Sequence, residues 1–141
     1  MRTLVHSLVT VLLSFLATSL SAAGDAEIQL AQVLMAGEAT ENIVILQSRL
    51  TGDSKLVEGD IPGAPGTACF EYSTSEEFKT SRRTEWLTAA DQTDFIVKSK
   101  ITGLKSDTRY YYRLLYRQDA LPLRKSAIAS FTTLGGPESK R

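Results

Sequence analysis

The chain has 141 residues, 16 basic and 16 acidic side chains, four prolines and one cysteine. That is enough for one domain held by packing, and too little cysteine for an internal disulfide. The even charge balance offers no field to hold a polyanion, so nucleic acid is excluded as a natural partner.

Residues 1–23 read as a leader outside the domain. Arg2 gives a positive start, 4–20 is apolar, and no further charge occurs before Asp25. Ser21 and Ala23 are small residues at the spacing a signal peptidase accepts, so cleavage after Ala23 is expected. The alternative is a membrane anchor, which needs about 20 mostly apolar residues. Ser7, Thr10, Ser14, Thr18 and Ser19 dilute this run, and no stable anchor is expected after cleavage. The expected product is secreted, extracellular or periplasmic. It comprises a domain over 24–134 and a tail or linker over 135–141. Losing Arg2 leaves 15 basic against 16 acidic residues, a net charge of −1.

The remainder alternates polar and apolar residues with a period of two, the mark of strands. "IQLAQVLMAG" (28–37) is expected as the first strand and "NIVILQSRL" (42–50) as the second. In the second, Val44, Leu46, Ser48 and Leu50 share one face, while Ile43, Ile45, Gln47 and Arg49 share the other. "TGDSKLVEGDIPGAPG" is a loop, because its glycines and prolines hold ladder positions poorly. "TACFEYST" is the third strand, with Ala68, Phe70 and Tyr72 facing one way. A polar stretch with two anchors, Phe78 and Trp86, contains a short edge strand around 84–87. "DFIVKSKITGL" sets Phe95, Val97, Ser99 and Ile101 against a wet face with Lys98 and Lys100. "RYYYRLLYR" (109–117) and "SAIASFTTL" (126–134) close the domain.

About seven strands with frequent turn signals and no helix after the leader predict an all-β fold. An antiparallel immunoglobulin- or fibronectin type III-like sandwich fits the length; a small barrel is the alternative.

The run of tyrosines divides between two faces, since neighbouring side chains leave a strand on opposite sides. Tyr110, Tyr112, Leu114 and Tyr116 form the expected core face. Leu104 precedes Tyr110 across a polar turn, as in the tyrosine corner of β-sandwiches, where the hydroxyl bonds backbone at the turn. The opposite face carries Tyr111, Arg113, Leu115 and Arg117. Of these, Tyr111, Arg113 and Arg117 are the candidate interaction residues, able to stack a planar group or dock a neighbouring domain. Without a ligand, they are a solvated strand face with arginine stems lying along it.

The segment after the leader has no histidine, because the single histidine is His6. Zinc, copper and non-haem iron sites lose their commonest ligand, and a serine–histidine triad is excluded. Asp53, Glu58 and Asp60 lie among loop glycines and read as turn formers. Cys69 has no histidine partner and reads as a structural thiol. No catalytic, metal or cofactor residue is expected.

"GLKSDTRYYYRLLY" followed by "SFTTL" resembles the end of the N-terminal domain of PhoD-type alkaline phosphatases. "FEYSTSEEFKTSRRTEWLTA" through "TDFIVKSKITGL" is similar to that domain as well. "QVLMAGEATENIVILQSRL" keeps Gly37 and the Arg49-Leu50 ending of the family pattern, with Gln47 where the pattern has tryptophan and Ala39 where it has proline. The resemblance covers roughly 31–134. It implies an immunoglobulin- or fibronectin-like sandwich ahead of a metallophosphoesterase domain that holds the metal ligands and nucleophile. On that basis the chain is expected to be a non-catalytic accessory domain that packs on or positions a catalytic domain, as a stand-alone remnant or a truncated reading frame. Its expected partner is a phosphoesterase catalytic domain or another extracellular protein. The competing expectation is a stand-alone extracellular module that binds protein or glycan.

Overall fold

The computed structural model describes residues 28–29, 33–53 and 55–139. The leader expected over 1–23 lies outside the described residues. Among the described residues, nine short strands follow one another: β1 (Met35–Gly37), β2 (Val44–Arg49), β3 (Gly66–Ser73), β4 (Arg82–Arg83), β5 (Leu87–Ala89), β6 (Ile96–Ile101), β7 (Arg109–Arg117), β8 (Arg124–Lys125) and β9 (Ala129–Thr132). A single 3-10 turn, Asp91–Thr93, precedes β6.

The strands form two sheets. The smaller has the order β1-β2-β6. In the larger, β3 and β7 pair centrally, β4 and β5 share the free edge of β3, and β8 and β9 share the free edge of β7. All these pairings are antiparallel. The nine strands therefore occupy seven positions, four in the large sheet and three in the small.

Three boundaries differ from the sequence reading. Of the expected first strand, 28–37, residues 30–32 lie outside the described residues; Met35–Gly37 forms β1 and Gln29 makes an isolated bridge to Thr51. The edge strand expected at 84–87 is two pieces, β4 and β5, on either side of Thr84. β8 was not expected.

Both interruptions have one physical cause. Thr84 Oγ1 accepts the Phe70 N–H at 3.0 Å, and Ser126 Oγ accepts the Leu114 N–H at 2.8 Å. Phe70 and Leu114 face each other across the central pair. In each case a hydroxyl takes the place of a ladder carbonyl, so the central strands stay satisfied while their edge partners bend away. Part of each edge is a strand two residues long and doubly basic, Arg82–Arg83 and Arg124–Lys125, beside β5 and β9. Short charged edges resist pairing with another chain.

The core lies between the sheets. Val44 and Leu46 from β2, Val97 and Ile101 from β6, Ala68 and Phe70 from β3, and Tyr110, Tyr112, Leu114 and Tyr116 from β7 are all buried. Full burial of a large apolar side chain stabilises by about 1.5–3 kcal/mol. Phe131 of β9 stacks on Tyr110 with 5.4 Å between ring centroids and tilts against Tyr112 at 5.7 Å. Burial pushes the Tyr112 hydroxyl above the usual tyrosine range.

Arg49, on the face opposite Val44, Leu46 and Ser48, is buried as they are. It is only 7% exposed. Its guanidinium donates to Asp94 O, to Asp94 Oδ1 and to Ile61 O, at 3.0, 2.9 and 2.5 Å. Asp94 and Phe95 both have positive φ, 51° and 58°, a strained turn for side-chain-bearing residues. The arginine holds that turn against the 52–65 loop, where Gly63 leaves room for the Phe95 ring.

Candidate functional site

The outer face of the large sheet carries the residues singled out for interaction. Register places Ser73 beside Tyr111, Glu71 beside Arg113, Cys69 beside Leu115 and Thr67 beside Arg117. Tyr111 and Arg113 are half-buried and Arg117 is exposed. At about 3.3 Å per residue, Tyr111 and Arg117 stand roughly 20 Å apart along the strand. They share a stripe and do not converge on one pocket.

Glu71 organises this face. Among the described residues it is the single acidic residue within any strand, against ten basic ones, and it is 3% exposed. Its Oε2 accepts Arg113 Nε at 2.7 Å. Its Oε1 accepts Ser81 Oγ at 2.9 Å and Arg83 Nε and Nη2 at 3.3 Å. Burial opposes ionisation, but hydrogen bonds from Arg113, Ser81 and Arg83, together with the Arg113 charge, outweigh it. The carboxyl is held below the usual carboxylate range. Sequence reasoning did not single out Glu71. The signal available was an acid in the middle of the otherwise apolar run "ACFEY".

Two aromatic residues from the 74–86 segment lie over the arginines. Arg113 sits 4.2 Å from the centre of the Phe78 ring, and Arg117 sits 5.2 Å from the centre of the Trp86 ring. The anchors therefore grip cations on the outer face and stay out of the core. Arg113 is engaged on both sides. Arg117 and Trp86 remain open to solvent, with Trp86 45% exposed. Leu115 and Cys69 are fully buried on this same side. Burial raises the Cys69 thiol above its usual range, the nearby Arg83 charge lowers it and Glu71 raises it further; the net direction is up.

At one end of the sandwich, Leu104 is buried and the Lys105 N–H donates to the Tyr110 hydroxyl at 2.9 Å. The ring is thus packed inside while its oxygen ties down the turn, an arrangement β-sandwiches use at this corner. The chain leaves the last strand at the same end. Thr133 is 2% exposed. Its hydroxyl donates to Lys105 O at 2.6 Å and accepts the Thr108 N–H at 3.0 Å.

Among the described residues, no group of three or more histidine, cysteine, aspartate or glutamate side chains is placed to hold a metal. Asp60 Oδ1 accepts the Ile61 N–H at 2.7 Å, and Asp53 Oδ1 accepts the Lys55 N–H at 3.1 Å, as loop carboxylates commonly do. No described helix is long and apolar enough to cross a membrane.

Two antiparallel sheets with this order define a fibronectin type III-like sandwich. Residues 16–135 match the family described as PhoD-like phosphatase, N-terminal domain, and the chain belongs to that family. The match begins inside the expected leader and ends one residue past the expected domain. The solved structure of PhoD superposes with a TM-score of 0.66 at 21% identity, over 84% of this chain. The chain corresponds to only 21% of that PhoD chain. A fibronectin type III domain from human KIAA0970 protein gives a TM-score of 0.53 at 14% identity, covering 83% of this chain and 80% of its own. The sensor domain of the anti-sigma factor RsgI4 from Pseudobacteroides cellulosolvens gives 0.52 at 16% identity, covering 81% of this chain and 99% of its own. At these identities the structural likenesses establish the fold. No curated protein sequence matches the chain.

Proposed function

We propose that this chain is an exported, non-catalytic accessory domain that packs on and positions a metallophosphoesterase domain. The observation that carries the reading is the family match over 16–135, to the N-terminal domain of PhoD-like phosphatases. In such enzymes, the resemblance implies, the metal ligands and nucleophile belong to the domain that follows. The groups of this domain fit a supporting role. Its buried charges, Arg49 and Glu71, are satisfied by groups of the domain itself. The segment after the leader has no histidine, the ligand and general base most such chemistry uses. Export follows from the positive start, apolar run and small-residue cleavage site of 1–23.

The test is hydrolysis of an aryl phosphate by purified 24–141 with calcium, iron or zinc supplied. No turnover above buffer is expected. Metal-dependent turnover that survives repeated purification contradicts the reading.

A further inference from the structure

We propose that the end of the sandwich formed by Thr40–Asn42, residues 105–107 and Leu134 is the seat of the following catalytic domain, with Thr133 as the clamp that fixes its direction. The inference rests on the accessory-domain reading and adds the surface through which it works.

The polypeptide leaves the fold here with little slack. Besides the two Thr133 hydroxyl bonds, the Thr133 N–H donates to Thr108 O at 3.1 Å and the Leu134 N–H donates to Thr40 O at 3.0 Å. The Asp107 N–H in turn donates to Leu134 O at 3.0 Å. Residues 133–134 are thus tied to both the 105–108 turn and the 38–43 turn, beyond the end of β9. A free linker needs none of these bonds. A chain that must leave in one direction does, because each bond removes a freedom that would otherwise blur the position of whatever follows. The family domain ends at residue 135, immediately beyond the clamp.

The surface around the exit suits a partner with a basic face. Leu134 is 56% exposed and accepts the Asp107 N–H; the same turn, with Glu41 and residues 136–139, lines an open hollow of about 530 Å³ that includes Glu41, Asp107 and Glu138. Among the described residues, none of these three carboxylates has a basic side chain within 4 Å. On the outer face of the large sheet, by contrast, Arg83 and Arg113 are already bound to Glu71. An exposed apolar residue near acids that lack a basic partner complements a lysine- or arginine-bearing surface with a small apolar centre.

The experiment is a chimera in which residues up to Ser139 replace the N-terminal domain of PhoD, so that the hollow is kept whole. Amide hydrogen exchange is compared between the chimera and this chain alone. Amides at 40–42 and 105–107 are expected to slow by roughly tenfold or more in the chimera. Leu134→Asp, or Glu41→Lys with Asp107→Lys, should return them to the rates of the free chain, while Arg117→Glu should not. These are surface positions, and an unchanged urea midpoint of the free variants separates lost docking from lost folding. Protection on the large-sheet face with unchanged exchange at 40–42 and 105–107 overturns the inference and leaves the accessory reading standing. No protection on any surface overturns both.

Discussion

Arg113 Nε donates to Glu71 Oε2 at 2.7 Å while the same guanidinium lies against the Phe78 ring. The pair turns the outer face of the large sheet from an open cationic stripe into a self-satisfied layer. A buried carboxylate is tolerable only because several charged donors reach it. Those donors come from β4, its approach and β7, so the network also fastens an edge strand that has just two residues.

Removing the carboxylate leaves Arg113 and the Ser81 hydroxyl without their acceptor. Glu71→Ala should lower unfolding free energy by about 3 kcal/mol, the usual consequence of breaking a largely buried pair. Urea unfolding followed by tryptophan fluorescence measures it. A change under about 0.5 kcal/mol, the range of ordinary surface substitutions, contradicts the network.

Acid should act through the same group. Glu71 titrates lower in the folded protein than in the unfolded chain, where glutamate lies near about 4.3. Below that value the unfolded chain binds the extra proton, so stability falls as pH falls. The contribution is fully present above the unfolded value and disappears as pH passes down through the folded one. Urea midpoints from pH 7 to 2 should drop less steeply on the acid side in Glu71→Gln than in the unaltered protein. Identical slopes would exclude Glu71 as a contributor.

Tyr110→Phe tests the corner. The ring packing on Phe131 is retained, and only the acceptor for Lys105 N–H is lost. A loss of about 1 kcal/mol is expected, since one hydrogen bond is broken and the freed N–H is partly reachable by water. Exchange of the Lys105 amide should quicken as well. An unchanged midpoint with unchanged exchange means the bond is not formed in solution.

Cys69 should resist thiol reagents in the native state. It is fully buried and its thiol is raised by burial, so little thiolate exists and none is accessible. Labelling with a disulfide reagent should track global unfolding as urea is added. Rapid stoichiometric labelling of native protein contradicts this placement.

The alternation of β7 was legible because period two needs no partner to be read. Tyr110, Tyr112, Leu114 and Tyr116 are buried together. The sheet positions were legible for the same reason. Arg49 and Glu71 were not, because what buries them lies far along the chain. Arg49 is met by residues 12 and 45 positions away, and Glu71 by residues 10, 12 and 42 positions away. Leu115 misled in the opposite sense: alternation assigned it to the outer face correctly, but could not show that this face is covered there. β8 was missed because two adjacent basic residues carry no strand periodicity. The closing strand was read over 126–134, but β9 spans Ala129–Thr132; Thr133 and Leu134 are fastened instead by backbone and hydroxyl bonds to two turns, which periodicity does not reveal.

The central claim is that this domain supports a catalytic domain and performs no chemistry itself. The most direct measurement is the thermal stability and phosphatase activity of PhoD with its N-terminal domain replaced by this one, beside PhoD with that domain deleted. The account predicts that the replacement restores a higher melting temperature and activity to the deleted enzyme. A replacement that melts and turns over no better than the deletion would contradict it.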